Sequence, residues 1–304
     1  MVEQWGIRVP AQQGEKLRRS LIDEGILDLS LKVRREGSTL MLPVTEPRES
    51  AQRYEFESMP ERQVLPRHEL VGGIAIIQDH DRKCAEKILQ SRPSLHTVLC
   101  ASSEVCGEYR TREFEVLAGN PTTRTEVIEY GHRFSVDLSK AYFSARLSSE
   151  RQRILEQVAG NETVLDMFAG VGPFAITLAA RATLVVASDI NPQAIILMLE
   201  NCARNHVENV LPVLADAHHL PGTIPWRFDR IVINLPLSGT EFLPGAFRLC
   251  KTGGIIHFYS LVSAEGEHLE YIDKLKGTVV AERVVRSYSP GQWHTVFDIR
   301  VGDE

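Results

Sequence analysis

Three aspartates, Asp166, Asp189 and Asp216, close successive apolar runs: Thr163-Val164-Leu165, Leu184-Val185-Val186-Ala187 and the segment ending Leu214-Ala215. Carboxylates at the carboxyl ends of strands face the crevice where open α/β sheets bind ligands. The first is followed by the turn Ala169-Gly170-Val171-Gly172-Pro173. Its glycines let the backbone approach a ligand that a Cβ would obstruct. The turn reads G-x-G-P rather than G-x-G-x-x-G, and an aspartate at its entrance repels a pyrophosphate, so a cationic ligand suits it better. Asp189 comes 17 residues after Gly172, the usual place for a carboxylate that accepts both ribose hydroxyls of an adenosine. Asp216 is placed to accept from an adenine amino group. Any one of these acids alone reads as a helix cap or a surface charge. Three of them at successive strand ends form a specific constellation.

The elements that must carry these residues follow from residue 138 onward. Short apolar strands at 163–165, 184–187, 230–233 and 254–258 alternate with helical segments. That alternation predicts a doubly wound, mainly parallel sheet of the α/β class. With the three acids it resembles the Rossmann-like class I SAM-dependent methyltransferases, whose cofactor carries a sulfonium and an amino group. In that superfamily the fourth strand often ends in Asn-Pro-Pro-aromatic. Here Asn234-Leu235-Pro236-Leu237 stands in its place, so no base is expected to stack on an aromatic there.

Upstream, Trp5 to Val9 reads as a strand, Gln12 to Glu24 as a helix stopped by Gly25, and Leu40 to Leu42 as a strand. Residues 44–62 are polar with two prolines. The expected organisation is a small α/β domain over 1–47, a linker over 48–62, an α/β middle domain over 63–137 and the cofactor domain over 138–304. Within the middle domain, strands are expected at 74–77, 97–99 and 109–117, a helix at 82–89 and a hairpin at 125–136.

No apolar stretch reaches the ~18 residues of a membrane span, and the first residues hold no hydrophobic signal core. The five cysteines are scattered without a C-x-x-C pair, which fits reduced thiols rather than disulfides or zinc. The chain is therefore read as cytoplasmic, with no metal ligand assigned. The net charge of −6 counts against a nucleic-acid partner. A structured RNA then needs a local basic groove, for which Arg18–Arg19, Lys32–Arg35 and Arg146–Arg153 are the available clusters.

Further motifs narrow the family. Gly107-Glu108-Tyr109-Arg110-Thr111-Arg112, Lys140-Ala141-Tyr142-Phe143-Ser144-Ala145-Arg146-Leu147 with Glu150-Arg151, Asp166 to Phe174, Asp189-Ile190-Asn191-Pro192 and Asn234-Leu235-Pro236 occur in this order. In combination the chain resembles the archaeal and eukaryotic type of tRNA (guanine-37 N1)-methyltransferase. The resemblance runs from about Val71 to the end and more faintly over residues 5–47. Ala145 departs from it, since the family usually has proline there.

The resemblance implies methyl transfer from SAM to N1 of guanosine-37, with Glu150 as general base and Arg110 as the cation near O6. Guanine N1 carries a proton at neutral pH, so a base that removes it and a cation that stabilises the charge at O6 suit the reaction. Arg151 is implied at the charged end of the cofactor, and Asn234 beside the methionine part and the guanine edge. Asp166, Gly170, Gly172, Asp189, Ile190, Asp216 and Ala217 are the other expected cofactor contacts, with Tyr142 and Phe143 walling the pocket. Taken alone, Glu150 is an ordinary helix-surface charge and Arg110 a strand-face ion pair. The implied partner is tRNA, held at its anticodon stem-loop and tertiary core by a monomer, with Mg²⁺ assistance compatible with the family.

Three alternatives remain at this point. The related wybutosine-pathway aminocarboxypropyl transferase shares the fold and SAM but lacks the Arg-Leu-x-x-Glu pattern seen here as Arg146-Leu147-Ser148-Ser149-Glu150. A variant of the main family also methylates a wyosine precursor. A catalytically silent RNA-binding module is opposed by the retention of Asp166, Asp189, Asp216, Glu150 and Arg110.

Overall fold

The computed structural model describes residues 1–59, 65–103, 107 and 109–303. Glu108 and Cys106, and residues 60–62 of the expected linker, lie outside the described residues. The chain forms two units, 1–64 and 65–304.

In the first unit, β1 (Val2–Pro10) leads directly into α1 (Ala11–Asp23), followed by β2 (Arg34–Glu36), β3 (Thr39–Val44) and β4 (Ala51–Phe56). The strands form an antiparallel sheet in the order β2-β3-β1-β4. Ile7, Val9, Leu42 and Val44 alternate onto the face that packs Leu21 of α1. The expected linker is thus corrected. Residues 51–56 are an edge strand, because β1 offers a free edge and Phe56 buries its ring with Leu31 and Met41.

The second unit opens with β5 (Glu69–Val71), β6 (Ile74–Ile77), α2 (Arg82–Ser91), β7 (Thr97–Ala101) and β8 (Phe114–Gly119), a four-stranded sheet in that strand order. Asp81 caps α2 by accepting from the Cys84 amide at 3.0 Å. β9 (Arg124–Glu129) and β10 (His132–Asp137) pair as the expected hairpin. β8 starts later than expected, since Tyr109 and Arg110 lie in a turn where Arg110 takes a φ of +52°.

There follow α3 (Ser148–Gln157), β11 (Thr163–Asp166), α4 (Pro173–Ala179), β12 (Leu184–Asp189), α5 (Pro192–Arg204), β13 (Val210–Leu214) and α6 (Leu220–Thr223). The chain ends with β14 (Phe228–Ile233), α7 (Leu243–Leu249), β15 (Cys250–Val262), α8 (Leu269–Lys274), β16 (Gly277–Ser289) and β17 (Gln292–Val301). Seven strands form one sheet in the order β13-β12-β11-β14-β15-β17-β16, parallel through β15 and antiparallel for β17 and β16. The order reverses between β11 and β14, and ligands bind at such a switch.

The middles of the central strands are apolar on both sides because both faces of the sheet are covered. Val164, Val185 and Val232 point into one core with Phe174, Met198 and Tyr259. Leu165, Val186 and Ile231 point into the other with Phe228, Leu243 and Phe297. The first of these cores also takes Ile74, Leu99, Phe134 and Val136. The expected middle domain, 63–137, therefore shares a core with the parallel sheet. Only the other face of its own sheet, with Ala75, Ile77, Ile88 and Val98, forms a separate cluster. Among the described residues no helix is long and apolar enough to cross a membrane.

Candidate active site

The carboxyl ends of β11, β12 and β14, and the segment after β13, open onto a cleft of about 990 Å³. Its floor is the turn after β11. Gly170 has a φ of +55° and Gly172 a φ of +87°, the left-handed region that side chains strain to enter. A Cβ on Gly172 would lie 2.6 Å from Met198 Cγ, so this glycine permits α4 to pack on α5. Gly172 does not line the cleft, whereas Gly170 does. The close packing of α4 on α5 by itself requires glycine at 172.

Asp189 ends β12 and closes the same turn. Its Oδ2 accepts from the Gly170 amide at 2.7 Å and its Oδ1 from the Asn191 amide at 2.9 Å. Asp189 lines the cleft, and burial raises its pKa. Asp216 also lines the cleft and accepts from the His218 amide at 2.9 Å. The His218 ring lies 4.3 Å from that of Phe242, which in turn meets Phe168 at 4.8 Å, and all three line the cleft. Ile190 and Ala217 line it as expected.

Asp166 is fully buried behind this lining, and its Oδ2 has no hydrogen-bond partner among the described residues. Burial pushes its carboxyl up to about 7, the Asp189 charge adding to the rise. An orphaned carboxylate oxygen beneath a glycine turn, with a second acid at the next strand end, fits a ligand that brings both a cation and a ribose. SAM is such a ligand.

Arg151 is placed by α3 with 2% of its surface exposed. Glu129 of β9 grips it through Nε at 2.9 Å and Nη2 at 2.7 Å, and Nη2 also donates to the Ser144 carbonyl at 3.1 Å. The guanidinium lies 5.8 Å from the Phe143 ring and 5.6 Å from the Phe174 ring. None of these bonds uses Nη1. Arg151, Phe143 and Tyr142 all line the cleft.

Beside the cleft is a smaller pocket of about 50 Å³, walled by Arg110, Tyr142, Asn234, Pro236 and three residues of the last two strands, Arg286, Tyr288 and His294. The Arg110 guanidinium stands 5.3 Å from the Tyr142 ring. Arg110, Tyr142 and Asn234 border both spaces, so the structure brings these expected site residues together. Arg286, Tyr288 and His294 were not expected. The turn Pro290-Gly291 between alternating segments was the available signal for their hairpin.

Glu150 is the main departure. Among the described residues lining either space it does not appear. It is 1% exposed, with Oε2 accepting from Arg153 Nε at 2.8 Å and from the Tyr259 hydroxyl at 3.2 Å. Arg283 Nη1 is 3.4 Å from Oε1. The network continues from Arg153 to Asp298 at 2.5 Å, from Asp298 to His257 at 2.6 Å and from His257 to Arg230 at 2.7 Å. Burial would raise the Asp298 pKa, but His257 and Arg153 hold it well below the usual carboxylate range. Glu150, expected as the general base, is thus held among Arg153, Arg283 and Tyr259.

The basic clusters are also largely neutralised at home. Arg18 and Arg19 meet Glu15, Lys32 meets Glu57, Arg34 meets Glu36 and Arg146 meets Glu69. Such exposed pairs are worth little. Among the described residues no group of three His, Cys, Asp or Glu is arranged to hold a metal ion.

The sheet order and the acids around its switch point define a class I SAM-dependent methyltransferase. The TRM5/TYW2 methyltransferase domain model matches residues 125–285, and the tRNA methyltransferase 5 N-terminal domain model matches residues 6–52. The chain belongs to the TRM5/TYW2 methyltransferase family.

It is 38% identical to tRNA (guanine(37)-N(1))-methyltransferase Trm5b of Pyrococcus abyssi, over 97% of this chain and 98% of that one. The crystal structure of that organism's Trm5b matches with a TM-score of 0.81 and 36% identity, covering 99% of this chain and 100% of that one. An aTrm5–tRNALeu complex matches with a TM-score of 0.75 and 29% identity, covering 98% and 99%. The tRNA(Phe) (4-demethylwyosine(37)-C(7)) aminocarboxypropyltransferase of Methanocaldococcus jannaschii is 29% identical over 77% of this chain and 97% of its own.

Proposed function

We propose that this chain transfers the methyl group of SAM to N1 of guanosine-37 in tRNA. The observation that carries the reading is the junction of the acid-lined cleft with a pocket bordered by Arg110, Tyr142 and Asn234. The names of its nearly full-length relatives support the same substrate.

SAM supplies an electrophilic methyl group on a sulfonium. Asp189 holds the ribose hydroxyls, Asp216 the adenine amino group, and Phe168, His218 and Phe242 offer flat faces near that end. Arg151 Nη1 binds the cofactor carboxylate while Glu129 keeps the guanidinium oriented. Arg110 stabilises the charge that develops at guanine O6. Glu150 takes the N1 proton, which requires tRNA binding to draw its carboxylate away from Arg153 and Arg283. No step is assigned to a metal ion.

The partner is tRNA, gripped by the 1–64 unit and by arginines released from exposed ion pairs. The enzyme acts as a monomer in the cytoplasm, where the free thiols of Cys84, Cys100, Cys202 and Cys250 stay reduced.

Incubation with unmodified tRNA and SAM, followed by mass spectrometry of the nucleosides, tests the reading. N1-methylguanosine at position 37 is the expected product. An aminocarboxypropyl adduct, or modification only of a wyosine-precursor tRNA, overturns it.

A further inference from the structure

Arg153 stands between two carboxylates. Its Nε donates to Glu150 Oε2 at 2.8 Å, while Nη1 and Nη2 donate to Asp298 Oδ2 at 2.5 Å and Oδ1 at 3.2 Å. Asp298 is 4% exposed and comes from β17, remote in sequence from α3. Burial opposes the Arg153 charge, and Asp298 does more than Glu150 to restore it.

Asp298 is itself fixed from β15, where His257 is its cross-strand neighbour. Arg230 Nη1 lies 2.7 Å from His257 Nε2, and a guanidinium only donates, so Nε2 accepts. The ring, which burial keeps neutral, carries its proton on Nδ1 and donates it to Asp298 Oδ1 at 2.6 Å. Glu162 grips Arg230 in turn at 2.7 Å. The other groups facing Glu150 are the Tyr259 hydroxyl from β15 and Arg283 from β16. His294 of β17 lies against the Tyr259 ring, and α4, which packs on α3, brings no charged side chain.

To reach guanine N1 as a base, Glu150 must leave Arg153. A largely buried guanidinium left without a carboxylate strands its charge, and the pair resists opening. Asp298 already takes two of the three Arg153 nitrogens. Arg153 therefore stays neutralised when Glu150 departs, and Glu150 gives up one hydrogen bond to it rather than a bidentate pair.

We propose that Asp298 is a positioning residue for the methyl transfer, holding Arg153 back so that Glu150 can be released as the base. This deepens the general-base reading of Glu150 and rests on it.

Single-turnover methylation of unmodified tRNA across pH tests it. Asp298→Asn keeps the shape and removes the charge, which leaves Arg153 to Glu150 alone. The chemical rate should fall by about 10- to 100-fold, with SAM affinity unchanged. The acid limb of the pH–rate profile should move to lower pH, because an undivided cation favours the ionised carboxylate. Adding Arg153→Met to Asp298→Asn removes that cation. The double variant should recover most of the rate and return the limb to the wild-type pH or above it.

An Asp298→Asn enzyme with the wild-type rate and limb overturns the proposal. So does a loss that the double variant fails to recover, since it marks a role in the fold alone. Should Asp298→Asn not fold, Arg153→Met by itself is expected to move the limb to higher pH, and an unmoved limb overturns the proposal. A wild-type profile without an acid limb that Glu150→Gln abolishes defeats the general-base reading itself, and this inference with it.

Discussion

The Arg151 guanidinium is held by the Glu129 carboxylate through two nitrogens, Nε at 2.9 Å and Nη2 at 2.7 Å, with both side chains almost wholly buried. The pair ties the β9–β10 hairpin to α3 and fixes the guanidinium where Arg151 lines the cleft. Removing one partner of a buried pair strands the other charge, at a cost of about 3–5 kcal/mol. Glu129→Ala should lower stability by that order in denaturant unfolding and weaken SAM binding in calorimetry. Wild-type SAM affinity in a folded Glu129→Ala protein contradicts the orienting role.

Asp166 predicts a pH dependence. Its folded pKa of about 7 lies above the ordinary aspartate value of 3.8, so the folded chain binds this proton more tightly than the unfolded chain. The contribution to stability is complete below the unfolded pKa and is lost as pH rises through about 7. A cationic group of SAM favours the ionised form instead. SAM binding should therefore release a proton and strengthen as pH rises to about 7, then level off. Calorimetry in two buffers of different ionisation enthalpy measures both effects, and Asp166→Asn should abolish them. An Asn variant that keeps the wild-type proton release sinks the assignment.

Glu150 faces two roles that experiment separates. As base, its change to Gln should reduce the single-turnover chemical rate by about 10²–10⁴-fold with SAM and tRNA affinity nearly unchanged. As a structural partner of Arg153 and Arg283 alone, the same change should lower the unfolding midpoint and leave the rate intact. A wild-type rate in the folded variant removes Glu150 from the chemistry.

The first unit should be separable at residue 64 and not at 47. β4 pairs with β1 from Val2↔Phe56 to Ile7↔Ala51, and Arg53 covers the Trp5 ring at 4.5 Å. A fragment of residues 1–64 should unfold cooperatively on heating, while 1–47 should not, by circular dichroism. Residues 65–304 should keep SAM affinity and show a raised KM for tRNA. Loss of SAM binding in that fragment would make the first unit part of the catalytic core.

Much of the site was legible along the chain because its chemistry is local. A strand, an acid and a glycine turn are adjacent in sequence, so Asp166, Gly170 and Asp189 declare the strand ends and the turn they occupy. Val164 and Leu165, Val185 and Val186, and Ile231 and Val232 reach the two cores in alternation, because consecutive side chains of a strand covered on both faces point to opposite sides.

Tertiary structure alone decided what depends on distant partners. Glu150 and Arg151 are neighbours in sequence. One is drawn under the site by Tyr259 and Arg283, and the other is turned to the cleft by Glu129. β4 was hidden because its polar residues pair through the backbone, which any side chain permits. His294 and Arg286 reach the pocket only because β17 inserts antiparallel between β15 and β16, a strand order that no local pattern encodes. The sequence determined which ligand chemistry the chain offers, through residue types at strand ends. Packing between remote segments decided which charges are free to use it.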